Sequence, residues 1–143
     1  MNSDRTSDGK RTDVALLLIR LGAAAAFLYH GSGILFNAFD GPGIAGFAQF
    51  MHQPPAVAAL VGIAEFAGGV AMLTGILARP GAAGILLVML GAIATVHWPK
   101  FDIAHGGMEY ALTQALVASA ILVAGPGSYR IPVEQWMRRK RSV

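Results

Sequence analysis

Long apolar stretches, separated by short polar or proline-containing breaks, dominate the pattern of positions along the chain. Four of them contain at most two Asp, Glu, Lys, Arg or His residues each: Val14–Phe36, Ala56–Ala78, Ala82–Trp98 and Met108–Ala124. A helix needs about 20 mostly apolar residues to cross the hydrocarbon of a bilayer, and about 17 is the lower limit. No stretch alternates between apolar and polar positions, and Ala and Leu outnumber β-branched residues, so strands are not expected. The pattern predicts an all-α protein, a bundle of four transmembrane helices.

Proline and glycine punctuate the breaks between these stretches, as they do at helix ends. The predicted membrane domain covers residues 14–127, with helices at about 14–36, 56–78, 82–98 and 107–124. It is the single folded domain expected for a chain of this length.

The polar ends and the first outer loop complete the predicted domain plan. Residues 1–13 are expected to be a disordered cytoplasmic leader, and residues 128–143 a basic cytoplasmic tail. Apolar residues recur at a spacing of three and four in the first loop, at Ile44, Phe47, Phe50 and Met51. This spacing predicts a short amphipathic helix lying on the periplasmic interface. The "VEQWMRRKR" segment of the tail predicts a second interfacial helix.

The positive charges indicate the orientation of the helices. Lys and Arg lie before the first helix, between the second and third, and after the fourth, whereas the two other loops contain only Lys100. Under the positive-inside rule, both termini are then cytoplasmic. The "RRKR" run near the C-terminus is assigned to anionic lipid headgroups and not to nucleic acid. The bilayer is therefore the first expected partner.

Composition supports the membrane assignment and excludes several kinds of chemistry. Of the 143 residues, 55% are hydrophobic and only 13% charged. The charged share is about half that of a soluble domain, and so small a domain could not bury this much apolar surface. The chain has no cysteine, which excludes disulfides, thiolate metal ligands and iron–sulfur clusters on this chain.

Two residues of opposite charge lie inside the predicted helices, Arg20 on the first and Glu65 on the second. Counting 1.5 Å per residue from each predicted helix start places them within several ångströms of one depth. We therefore predict a buried Arg20–Glu65 ion pair that joins the two helices. In the functional alternative, the pair, or a protonated Glu65, binds a polar headgroup or relays protons.

A second polar cluster is expected near the periplasmic side. His30 and His97 come late on outward-running helices and Glu109 early on an inward-running one, so all three fall at one depth. The two histidines are candidate axial ligands of a b-type haem, or could bind a metal ion together with Glu109. A separate alternative is a divalent ion held by His105 and Glu109, which share a helix face if the fourth helix begins that early. A quinone headgroup would need only a donor there. Because histidines at helix ends more often bind carbonyls or interfacial water, no metal is assigned.

Several motifs in a fixed order resemble the DoxX family of small four-helix bacterial membrane proteins. They are Arg20 followed by Gly22, "FLYHGSGILF", "AEFAGGVAMLTG", a late His97, "GGMEYAL" and the closing "GPGSY". The resemblance covers about residues 14–131. It implies that Arg20, Glu65, His97 and Glu109 occupy the recurrent polar positions of the family.

The resemblance also implies a component of a redox system in the bacterial cytoplasmic membrane. We expect a multi-pass subunit of a quinone-linked oxidoreductase complex, which acts as anchor or partner and contacts quinone. Whether it is itself catalytic is left open, and a protein partner or a second copy of the chain is expected. The alternative is a small permease, or a channel for a proton or small solute, through the polar core of the bundle.

Overall fold

A computed structural model of the protein describes the backbone of residues 2–132 and the side chains of residues 7–132. This part of the chain is helical and contains no strand. Its α-helices are α1 (Asn2–Phe36), α2 (Gly43–Met51), α3 (Pro55–Thr74), α4 (Ala78–Ala92) and α5 (Glu109–Ala124). The prediction of an all-α protein is confirmed.

Three helical segments are long and apolar enough to cross a membrane: Ser7–Phe36, Pro55–Thr74 and Ala78–His97. The last of these includes a π-helical turn, Ile93–His97, which continues α4. α5 is equally apolar in character but has only 16 residues. Three of the four expected spans are therefore present by length and composition, and a fourth span in α5 remains a prediction.

The start of the chain differs from the sequence prediction. α1 begins at Asn2, so the leader expected to be disordered at residues 1–13 is helical over its described part. The reason is cooperative: once the apolar span has nucleated a helix, each added residue gains a hydrogen bond. An Asp8–Arg11 contact of 3.7 Å on the same helix face adds a small favourable pair. The predicted tail helix at residues 133–141 lies outside the described residues.

The short helix predicted in the first loop is present as α2, which lies against α3. The chain enters and leaves α2 through left-handed backbone conformations, at Asn37 (φ 55°) before it and His52 (φ 53°) after it. A 3₁₀ turn, Ala38–Asp40, lies between Asn37 and the start of α2. α2 is thus folded back over the neighbouring helices.

α1 and α3 run in opposite directions and pack side by side. Their backbones approach closely because each helix has a glycine at the contact. A Cβ atom at Gly31 would lie 2.5 Å from the backbone nitrogen of Phe66. On α3, a Cβ at Gly69 would lie 2.8 Å from the backbone nitrogen of Leu28. This register places Glu65 level with Ser32.

α4 packs against both α3 and α5. Its Ile85 faces Gly68 of α3, where an added Cβ would lie 2.7 Å away. The largest fully buried apolar side chains of the described core are Phe27, Met72, Ile85 and Ile121. They come from α1, α3, α4 and α5, so these four helices share one core.

Candidate functional site

Arg20 is fully buried at one end of the molecule, and the partners of its guanidinium among the described residues are all backbone carbonyls. Nε donates to Met72 O at 2.8 Å and Nη2 to Leu73 O at 3.3 Å. Nη1 donates to Pro126 O at 2.8 Å and to Tyr129 O at 2.7 Å. The last carbonyls of a helix lack intrahelical partners and form the negative end of its dipole. The cation therefore closes the C-terminus of α3 and ties the chain after α5 to it.

Two more charged side chains act at the same end. Asp13 Oδ1 accepts from the backbone N–H of Ser128 at 2.9 Å. Arg79 Nε donates to Leu122 O at 3.1 Å, in the last turn of α5. We call Asp13, Arg20 and Arg79 the clasp, because each joins one helix to the end of another or to the segment after it.

The ion pair predicted between Arg20 and Glu65 is wrong, since the two side chains do not pair. Arg20 donates instead to four backbone carbonyls, which we call the clasp carbonyls: those of Met72, Leu73, Pro126 and Tyr129. Glu65 lies level with Ser32, twelve residues further along α1 than Arg20, which is about 18 Å at the rise of an α-helix. The depth estimate failed because it assumed where each helix starts in the bilayer, whereas the register is set by Gly31 against Phe66.

Glu65 lies in the wall of a cavity of about 870 Å³, which we call the Glu65 cavity. The residue is 6% exposed, and no described residue forms a hydrogen bond with its Oε2 atom. Gly68 and Gly69, three and four residues further on, face α4 and α1. The carboxyl group thus lies on the packed side of α3.

Most of the cavity wall is apolar, and a few polar side chains interrupt it. Phe27, Phe47, Phe50, Met51, Val57, Leu60, Leu87 and Met89 are among the apolar lining residues. The polar ones include His30 on α1, Glu65 on α3, His97 at the end of α4, and Tyr110 on α5. Each of four helical segments therefore contributes at least one polar group.

His30 and Tyr110 are close enough to form one side of the cavity. Their ring centroids are 6.2 Å apart, and the His30 ring also meets Tyr29 edge-on at 5.3 Å. His97 is fixed differently: its Nδ1 donates to Gly106 O at 2.9 Å. In that tautomer Nε2 is left as the acceptor nitrogen of a neutral ring.

The π-helical turn at Ile93–His97 shapes the wall around His97. Its wider winding brings Thr95, Val96 and His97 to the same cavity. Single π turns inside α-helices are frequently found at functional sites. The end of α4 is therefore built differently from the ends of the other helices, at the point where it meets the cavity.

Of the predicted outer cluster, His30 and His97 both line the Glu65 cavity, whereas Glu109 is not among its lining residues. Glu109 is exposed at the first residue of α5, and its Oε2 accepts from Ile103 N at 3.3 Å. Ala111 on α5 is buried, and Glu109 precedes it by two residues, about 200° around the helix. The residue that sequence reasoning missed is Tyr110, whose signal was its position beside the buried Ala111.

The metal alternatives are not supported by the described residues. No group of three His, Asp or Glu side chains there is arranged to hold a metal ion. The condition for the His105–Glu109 alternative is not met, because α5 begins only at Glu109 and His105 lies in a 3₁₀ turn. His105 instead meets Asp102 Oδ2 through Nδ1 at 2.8 Å, at the surface.

Comparison with known families gives one match, to DoxX over residues 15–98. This is more than half of the chain, and it contains Arg20, His30, Glu65 and His97. The match ends before α5, so Tyr110 lies outside it. No curated protein and no solved structure matches the chain significantly.

Proposed function

The chain belongs to the DoxX family, and on that premise we propose that it is a membrane subunit that binds a lipophilic quinone in the Glu65 cavity. In this proposal it serves a quinone-linked oxidoreductase complex as anchor and partner. The observation that carries the proposal is the division of the cavity wall, which is apolar except for a few donors and acceptors. A quinone has the matching division, since its tail is apolar and its ring carries two carbonyl acceptors.

The size and opening of the cavity support a ligand of this kind. Sites for small molecules typically enclose about 300–1,000 Å³, and this cavity is of about 870 Å³. Leu60 of α3 and Leu87 of α4 line it and are also exposed on the outer surface. The cavity therefore opens sideways between α3 and α4. A ligand dissolved in the bilayer would reach it from the hydrocarbon without passing through water.

The proposed arrangement in the membrane follows from the charges. With α5 as a fourth span, both termini lie in the cytoplasm and α2 lies on the periplasmic interface. Arg20 and the rest of the clasp are then near the cytoplasmic side, and the Glu65 cavity is in the periplasmic half. The proposed location is the bacterial cytoplasmic membrane, and the proposed neighbours are a protein partner or a second copy of the chain.

Quinone binding to the purified protein tests the proposal. We expect quinone in the lipid extract of protein purified in mild detergent, and saturable binding of decylubiquinone after transfer to nanodiscs. The blocking variant is Gly84→Leu, because Gly84 lines the cavity and the nearest atom to an added Cβ is Ala64 Cβ at 3.9 Å. The matched control is Gly22→Leu on α1, where nothing lies within 4 Å.

Gly84→Leu should weaken decylubiquinone binding at least tenfold, whereas Gly22→Leu should bind as the wild type does. Equal binding by both variants, or no saturable binding by the wild type, contradicts the proposal. A visible spectrum of the same preparation tests haem, and the chains that co-purify with it test the association with an oxidoreductase.

One observation favours a permease as the second candidate. Gln114 Oε1, on α5 four residues beyond Tyr110, is buried without a partner, and with Glu65 it would extend a polar path. Against this, the fully buried Phe27, Met72 and Ile121 fill the core shared by the helices. Proton or solute flux in proteoliposomes that contain no bound quinone would favour the permease.

A further inference from the structure

Glu65 is an acid for which the surrounding protein provides no partner. Its Oε2 atom is buried and unbonded, and no described Lys, Arg or His forms a salt bridge with it. Arg20, the buried cation of the described core, is held by carbonyls at the clasp, as is the exposed Arg79. Within the described residues, the carboxyl group therefore has no ion-pair partner, and its Oε2 atom makes no hydrogen bond.

An ionised carboxylate in an apolar wall without a counter-charge is costly, because burial removes the water that would stabilise it. The neutral form avoids that cost but has an O–H donor that needs an acceptor. The described protein offers none to Oε2. Whatever occupies the cavity is then the source of the acceptor.

We propose that Glu65 binds the ligand as a neutral acid, and that its O–H donates to a carbonyl oxygen of that ligand. This inference rests on the proposed function and adds to it the residue that anchors the headgroup. The ligand class is a neutral, lipophilic molecule with a carbonyl acceptor, and its headgroup lies among Glu65, His30 and Tyr110. Its tail extends towards the opening between Leu60 and Leu87.

The opposite arrangement would be an ionised Glu65 that holds a lipophilic cation against the aromatic rings of Phe27, Phe47 and Phe50. The two arrangements need opposite protonation states of one residue. Glu65→Gln separates them, because an amide can donate to a carbonyl but carries no charge for a cation. Glu65→Leu removes both abilities at similar volume.

The test measures binding of two probes to the full chain in nanodiscs of neutral lipid. Decylubiquinone serves as the neutral carbonyl probe and tetraphenylphosphonium as the lipophilic cation. We expect Glu65→Gln to bind decylubiquinone within about threefold of the wild type, and Glu65→Leu to bind it about tenfold more weakly, as for the loss of one buried hydrogen bond. Tetraphenylphosphonium should bind none of the three in a saturable way.

Infrared difference spectra provide a readout that a merely structural role would not change. Adding decylubiquinone to the wild type should shift the C=O band of a neutral carboxyl group, and that band should be missing in Glu65→Gln. Equal decylubiquinone affinity in all three proteins, or tetraphenylphosphonium binding that only the wild type shows, overturns the inference while leaving the cavity as a site. If the wild type does not bind decylubiquinone at all, the proposed function itself fails.

Discussion

At the scale of single residues, the described part of the protein buries two ionisable side chains, and their hydrogen bonding differs. Arg20 makes four hydrogen bonds to carbonyls, and Glu65 leaves one oxygen without any. The difference follows from what helices expose: their C-termini present free carbonyls, which a guanidinium fork can bind. In the middle of a helix every N–H is already bonded, so α3 and its neighbours offer a mid-helix carboxyl group no backbone donor.

This contrast predicts the outcome of a double-mutant cycle on Arg20 and Glu65. Arg20→Met should lower the free energy of unfolding by about 3 kcal/mol, because it leaves the clasp carbonyls buried and unpaired. Glu65→Leu should be neutral or stabilising, since it removes a polar group that has no partner. The double variant should equal the sum of the two within about 0.5 kcal/mol, as for independent sites. The measurement is unfolding in detergent, followed by circular dichroism.

A control for the cycle is Arg79→Met, which removes a clasp cation that is more exposed than Arg20. Its bonds to Leu122 and Val123 carbonyls are at the surface, so it should lower the free energy of unfolding by about 1 kcal/mol or less. A coupling of several kcal/mol between Arg20 and Glu65 would show that they are partners after all.

At the scale of the elements, the closeness of α1 and α3 determines where Glu65 lies. Gly31 permits the contact with the Phe66 backbone, and this contact sets the register of the two helices. Transmembrane helices commonly use small residues in this way, because lipid provides no hydrophobic drive for their association and close packing must supply it.

Two alanine substitutions on the same helix test this role. Gly31→Ala would place a methyl group 2.5 Å from the nitrogen of Phe66, so α1 and α3 must separate and the thermal stability should fall by several degrees. Gly22→Ala meets nothing within 4 Å, and should be neutral or stabilising by up to about 1 kcal/mol, as for a glycine replaced in a helix. Thermal unfolding of both variants in one detergent is the measurement. Equal melting temperatures would show that Gly31 does not set the spacing.

At the scale of the whole molecule, most of the described Lys and Arg residues lie at the clasp end, away from the Glu65 cavity. The clasp end contains Arg20 and Arg79, and Arg130 lies beside Gly75 there. Residues 37–78 contain no Lys or Arg. Residues 98–124 contain one, Lys100, in the loop before α5. The positive-inside rule would orient such a molecule with the clasp towards the cytoplasm.

Cysteine labelling measures this orientation, and the absence of native cysteine makes each introduced one a single reporter. Gly9→Cys lies on the exposed start of α1, and His52→Cys on the exposed loop after α2. An impermeant maleimide applied to intact spheroplasts should label the variant at position 52 and not the one at position 9. After lysis, both should react, which controls for access. Labelling at position 9 alone before lysis would reverse the topology.

Some features of this protein are determined by the sequence alone. The spans at α1, α3 and α4 could be predicted from the sequence, because a helix that crosses a membrane must be apolar along its whole length. The sequence also indicates that Glu65 faces the neighbouring helices, since Gly68 and Gly69, three and four residues further on, lie on the same face of α3 and allow close packing there. These are properties of one helix at a time, and the 3.6-residue period displays them along the chain.

Only the tertiary structure decided which groups meet. An error of one residue rotates a helix by about 100° and moves it by 1.5 Å along its axis, which is enough to replace Tyr110 by Glu109 in a predicted cluster. The Arg20–Glu65 pair failed for the same reason, because its depth depended on an axial offset that Gly31 and Phe66 determine. The Glu65 cavity depends on how α2 folds back against α3. Such contacts are set by packing between helices, which the pattern within a helix does not record.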